Sequence, residues 1–147
     1  MRLQDRIELK GQLHVEVWQG NRITKIKNHN MIMTAGREML AQLVTGTIQD
    51  TIANIGIGSG TAEETPEDKG LQDECQVPLT LREVVGNTRA RFEFAIGKEA
   101  GNGINIREFG LFTERGTMFS HYVRPASAED LIKSEDMVIK GYWIINF

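Results

Sequence analysis

The chain has 147 residues, 40% hydrophobic and 25% charged, with a formal net charge of −3 at pH 7. That length predicts a single domain over residues 1–147 with room for a sizeable core. The acid excess argues against a dedicated nucleic-acid binder, which needs a basic face for phosphates.

One cysteine, Cys75, allows neither an intrachain disulfide nor a cysteine metal cluster. Residues 1–6 carry no apolar signal core, and no apolar run approaches the ~20 residues of a membrane span. The expectation is a protein made and used in solution, without membrane insertion. Charge is distributed unevenly. Residues 61–83 hold seven acids against two bases, whereas residues 1–45 hold seven bases against four acids. Such asymmetry can steer one copy against another, or can simply mark two solvated surfaces.

Taken in order, residues 3–9 give a weak strand signal. Gly11 punctuates the chain, and Leu13, Val15 and Val17 then alternate with His14, Glu16 and Trp18, the pattern of a half-buried strand. Gly20-Asn21 turns it into residues 22–27, which predicts a β-hairpin. The one helix is expected near residues 34–45. Thr34 is placed to cap it, Met39, Leu40, Leu43 and Val44 form one face, and Gly46 stands just past its end.

Ile52, Ile55 and Ile57 lead into Gly56, Gly58 and Gly60, so a central strand runs out through a glycine-rich end. Residues 61–70 read as an exposed acidic loop, and residues 71–81 are ambiguous because of Pro78. Residues 88–96 alternate cleanly, with Ala90, Phe92, Phe94 and Ile96 on one face. After a second glycine-rich break at 97–103, residues 104–113 and 118–123 predict paired strands. The last strand, 137–147, is apolar on both faces from Tyr142 onward, which puts it mid-sheet or at an interface. Seven or eight strands, one helix and no βαβ rhythm predict an all-β fold, a mainly antiparallel, jelly-roll-like β-sandwich.

Chemistry is harder to find. A phosphate cradle at residues 56–60 needs a helix to follow, and Glu63, Glu64, Pro66, Glu67 and Asp68 follow instead. Lys98 likewise lacks a phosphate-loop context. No two of His14, His29 and His121 have metal-ligand spacing, and solvated histidines are expected. Ser59 lacks the nucleophile-elbow spacing, and Cys75 beside Glu74 is not activated. Glu63/Glu64 and Glu129/Asp130 read as solvated pairs, and Asp68 with Asp73 gives no calcium pattern. No catalytic residue, cofactor or metal is therefore expected. Glu108 stands apart. It lies in an apolar stretch two residues before Gly110, so it either faces solvent beside Arg107 or is paired with an arginine or backbone amides. Gly56, Gly58, Gly60 and Gly110 are expected to let neighbouring backbones approach closely beside it.

Several segments in sequence resemble tailed-bacteriophage virion proteins of the tail-fibre, tail-collar and baseplate-attached kind. They are a basic hairpin leading to Met31-Ile32-Met33-Thr34-Ala35-Gly36-Arg37, then Ile55-Gly56-Ile57-Gly58-Ser59-Gly60-Thr61 with its acidic loop, Leu71 and Glu74. Ile106-Arg107-Glu108-Phe109-Gly110-Leu111-Phe112, Tyr122-Val123-Arg124-Pro125, Ile132-Lys133 and Gly141-Tyr142-Trp143-Ile144-Ile145-Asn146-Phe147 complete the series. A fibre continues into a long shaft, and this sequence has none, which fits a short adaptor, collar or baseplate piece, or a capsid-decorating protein. The resemblance implies a non-enzymatic virion component, assembled in the host cytoplasm, whose partners are other virion proteins and itself, as a homo-oligomer such as a trimer. Met39, Leu40, Leu43, Tyr142, Trp143, Ile145 and Phe147 are candidates for the interface and equally for the core. The rival reading is a host-receptor or glycan-binding module using loops 61–70 and 97–103.

Overall fold

A computed structural model describes residues 9–147; the weak strand signal at 3–9 falls almost wholly outside them. Nine strands and one helix follow in order: β1 (Lys10–Gln19), β2 (Arg22–Ile32), α1 (Thr34–Val44), β3 (Ile52–Gly58), β4 (Cys75–Pro78), β5 (Leu81–Val85), β6 (Arg89–Ile96), β7 (Glu108–Thr113), β8 (Met118–Val123) and β9 (Met137–Asn146). The fold is all-β with one short helix. The strands form one continuous antiparallel sheet, ordered β4-β3-β7-β8-β2-β1-β9-β6-β5 and curled into a half-barrel.

Two corners produce the curl. β2 pairs with β1 through Asn30 and then changes partner, setting Met31 and Ile32 against β8. The Asn30 side chain braces this corner, accepting from Ser120 Oγ at 2.8 Å and from Trp143 Nε1 at 2.9 Å. Gly11 stands opposite Asn30, and any Cβ there would overlap the Asn30 carbonyl oxygen. Gly11 thus lies inside β1 rather than ahead of it, because the corner needs that space. At the second corner β4 pairs with β3 and β5 with β6, while the two residues between them bond each way. Leu79 N donates to Ala53 O, and Thr80 N donates to Glu93 O. Residues 75–85 therefore form a bent strand that links the sheet's two ends, a device that short sheets use to turn a corner.

The inward residues of β1, β6 and β9 (Leu13, Val15, Val17, Phe92, Phe94, Ile139, Trp143, Ile145) pack against Ile55, Ile57, Phe109, Leu111 and Phe119 in one cluster. β9 lies mid-sheet between β1 and β6, which accounts for apolar residues on both its faces. The helix sits on β8, where Gly36 permits contact: a Cβ would come within 2.9 Å of both the Phe119 ring and its carbonyl oxygen. Thr34 is the first helical residue rather than the cap. Met33 occupies the cap position without a side-chain bond, and Thr34 instead ties the helix to the acidic loop, through its N–H to Pro66 O at 2.8 Å and its hydroxyl to Glu67 at 2.8 Å. At the other end Gly46 has φ +72°, with Gly46 N donating to Leu43 O and Thr47 N to Gln42 O. That is a Schellman closure, which only a residue comfortable in the left-handed region completes without strain.

Candidate functional site

Side chains alternate across a strand, so Gly56 and Gly58, with Gly60 just beyond the end of β3, share one face. The β3–β7 register sets Gly56 against Gly110 and Gly58 against Glu108. The residues after Gly60 turn back and cover this glycine face. A Cβ on Gly58 would lie 2.7 Å from Gln72 O and 2.8 Å from both Glu108 Oε2 and Leu71 Cβ, and one on Gly56 or Gly110 would strike the Phe112 ring. β7 and β8 are consequently buried on both faces, by the core on one side and by the loop on the other. Gly58→Ala is expected to cost roughly 1–3 kcal/mol through overpacking against loop backbone. Urea denaturation checks this, and an unchanged midpoint refutes it.

Beneath the loop lies a linked set of ionisable groups. Glu108, 3% exposed, accepts from Gly60 N at 2.6 Å and Gln72 N at 2.9 Å through Oε2, and meets His121 Nε2 at 2.8 Å through Oε1. The partners of Glu108 are thus two backbone amides and a histidine. Arg107 points elsewhere. The other His121 nitrogen, Nδ1, lies 2.9 Å from Asp68 Oδ2, and Asp68 also accepts from the Thr65 N–H and hydroxyl. Further along, Glu64 accepts from Val123 N at 2.6 Å, Ser59 N donates to Gln72 O, and the Ser59 hydroxyl donates to Asp73. His121 and several loop carboxylates, expected to be solvated, are therefore structural. The acids of residues 61–74 fasten the loop to the sheet, since a covering loop needs its backbone and polar groups satisfied.

The electrostatics of the clasp favour a charged imidazole. Burial lowers the pKa of His121, but hydrogen bonds and charge from Glu108 and Asp68 outweigh it, and the net shift is upward from 6.5. Burial raises that of Asp68, but bonds from Thr65 and His121 prevail, and the net shift is downward from 3.8. A raised histidine pKa gives stability that is complete below the unfolded value and lost as pH rises through the folded one; the depressed carboxyl gives stability lost as pH falls through its folded value. The clasp is thus expected to be tightest between those limits. Melting temperature followed against pH should show the wild type losing its advantage over His121→Gln as pH climbs above about 6.5. A difference that is flat with pH would contradict the charged-imidazole account.

Other interior charges hold neighbouring loops in the same way. Buried Arg107 donates to Ala128 O at 3.0 Å and Pro125 O at 2.6 Å, and Arg124 donates to Ile106 O and Glu129 O. Burial, then the neighbouring Arg107 charge, lower the Arg124 pKa. The Lys133 side chain, 1% exposed, places Nζ among Asn102 Oδ1 at 3.0 Å, Ser134 O at 3.1 Å and Lys98 O at 3.4 Å, and so ties down residues 97–103. Burial depresses its pKa.

The outer face of the sheet's other half, formed by β2, β1, β9 and β6, is different. Cross-strand rows there run Lys27–His14–Tyr142–Glu93 and Lys25–Glu16–Lys140, with Ile23–Trp18–Val138 beyond them. Tyr142 is sandwiched. His14 stacks on it with centroids 4.5 Å apart, and the Arg91 guanidinium lies 3.9 Å from its ring centroid while pairing with Glu93 at 2.9 Å. A groove of about 530 Å³ opens on this face. Burial, followed by the charges of Lys27, Arg91 and His29, lowers the His14 pKa.

The interface candidates divide between the two faces. Trp143 and Ile145 are wholly buried and Met39 nearly so, all in the core of the single chain, with Leu40 and Leu43 half-buried against it. Tyr142 is half-buried on the outer face, and Phe147 is 48% exposed. Asp68, His121 and Glu108 could in principle relay a proton, yet each oxygen and nitrogen facing inward already has a partner within the chain. Among the described residues no set of His, Cys, Asp or Glu converges to hold a metal ion, and no helix is long and apolar enough to cross a membrane. No family model, curated protein or solved structure matches the chain.

Proposed function

We propose that this chain is a non-enzymatic structural component of a tailed-phage particle, a tail-fibre, collar or baseplate-associated protein that acts through homo-oligomeric assembly. The observation that carries this reading is where the ionisable residues go. Glu108, His121, Arg107, Arg124 and Lys133 each engage backbone or side-chain groups of their own chain, and each fastens a loop to the sheet. Such an arrangement makes a rigid body with stapled loops and a broad polar–aromatic sheet face, which suits a part that must present fixed surfaces. The ordered segments that resemble virion proteins point the same way. Loops 61–70 and 97–103, the rival's recognition elements, use Glu64, Asp68 and Asn102 to hold themselves in place.

Two measurements test the reading. Mass spectrometry and density maps of purified particles are expected to find the protein as a stoichiometric virion component, and its absence from intact particles would sink the proposal. Light scattering across a range of concentrations is expected to give a mass of at least twice the 16.5 kDa of one chain, and a monomer throughout would sink the homo-oligomer.

A further inference from the structure

The chain is electrically two-sided. On the outer sheet face Lys25, Lys27, Lys140 and Arg91 outnumber Glu16, which stands between Lys25 and Lys140, and Glu93, which pairs with Arg91. The three lysines are exposed, and no carboxylate of the described residues lies within 4.0 Å of their ammonium groups. Beside them the hairpin end exposes Trp18 and Ile23, 40% and 45% accessible, in one cross-strand row. The loop over β3, β7 and β8 is the counterpart. It carries the chain's densest run of acids, and Glu63, Glu67, Asp73 and Glu74 stay exposed, the last three while each also accepts from its own chain, from Thr34, Ser59 and Leu71 N respectively.

We infer that the outer face of β2, β1 and β9 docks the acidic loop of a second copy of this chain, an inference that rests on the assembly reading above. Three arguments carry it. The signs are complementary, and opposed patches of this kind steer encounter and fix register. The loop is already ordered by Glu108 and His121, so docking it incurs little further conformational entropy. An apolar row, Ile23–Trp18–Val138, beside lysines also has the composition of an interface, with Trp18 as the anchor and the charges as a rim. A small anion would meet one or two of the lysines. They stand on two strands, β2 and β9, on either side of β1, and that spacing fits a surface carrying several carboxylates. The two patches are different surfaces, one on each half of the curled sheet, so the contact is head-to-tail and closes into a ring when the rotation permits, as a trimer would.

The test uses the full chain and its mass in solution. Raising salt from about 50 mM to about 500 mM is expected to shift the wild type toward monomer, since exposed charges are screened over a few ångströms at the higher value. Lys25→Glu with Lys27→Glu is expected to weaken association at least tenfold, and so is Glu63→Lys with Glu67→Lys. The variant carrying all four changes is expected to recover association, an outcome that misfolding cannot imitate; far-ultraviolet circular dichroism confirms that each variant folds. An oligomer indifferent to salt and to both reversals overturns this docking and leaves the assembly reading in place. A monomer that is nonetheless found in purified particles overturns this docking and the homo-oligomeric part of that reading, and leaves its virion part in place. A monomer whose outer face retains heparin or polyglutamate overturns the second copy as occupant in favour of another anionic partner.

Discussion

Glu108→Ala is expected to cost about 3–5 kcal/mol of folding stability, the usual penalty for breaking a buried charge network by removing one member. The carboxylate serves three donors at once: the Gly60 and Gln72 N–H groups and the His121 ring. Alanine leaves all three without an acceptor, in a space that Leu71 and the glycine face keep too tight for easy rearrangement. For a domain of this size that loss corresponds to a melting temperature lower by roughly 10 °C. Glu108→Gln is expected to do less harm, because its carbonyl still accepts from the loop amides and its amide still donates to a neutral imidazole. The damage should also be local first. Residues 61–74 are expected to become cleavable by protease before the sheet unfolds, since the loop's ties to β7 and β8 run through this group. An alanine variant that melts within about 1 kcal/mol of wild type, with its loop still protected, would show that the clasp is incidental.

Much of this architecture was legible in the sequence, and the illegible part has a physical cause. Alternation works where one face is wet, so β1 and β6 could be read residue by residue: Leu13, Val15 and Val17 inward, Arg89, Arg91 and Glu93 outward. It fails for β4 and β5. Their few residues answer to two different neighbours across a corner, and Pro78 masks the pattern. The glycines at 56, 58 and 60 announced that something comes close without saying what, because the approaching groups, Leu71 and Gln72, belong to a loop that composition marks as solvated. His121 was misread for the same reason. Strand alternation assigns a residue to a face, and whether that face is covered depends on a segment more than fifty residues away, at Asp68. Lys133 left no usable signal: a lysine's hydropathy argues for the surface, and only the three acceptors gathered around Nζ reverse it. Glu108 alone advertised itself, as a carboxylate in an apolar stretch beside a glycine.

The two faces of β9 make the last prediction sharp. Trp143 and Ile145 point into the core at zero exposure, while Tyr142 lies on the other side of the same strand under His14 and Arg91. Trp143→Ala is expected to cost about 3–5 kcal/mol, the cost of a large cavity in a close-packed interior. It also removes the Nε1 donor to Asn30, the residue that braces the corner where β2 changes partners. Among the described residues Asn30 would keep only Ser120 as a donor to its carbonyl, and its Nδ2 already has no partner there. The corner and the core should therefore weaken together. Because the residue is buried within one chain, the loss should be the same at every protein concentration, measured by denaturant unfolding of dilute and concentrated samples. Tyr142→Ala is expected to behave in the opposite sense. Its half-exposed ring contributes little to the fold, so unfolding should shift by less than about 1 kcal/mol, and any larger effect should appear in association. A Trp143 variant whose deficit disappears on concentration would move that side chain from core to interface.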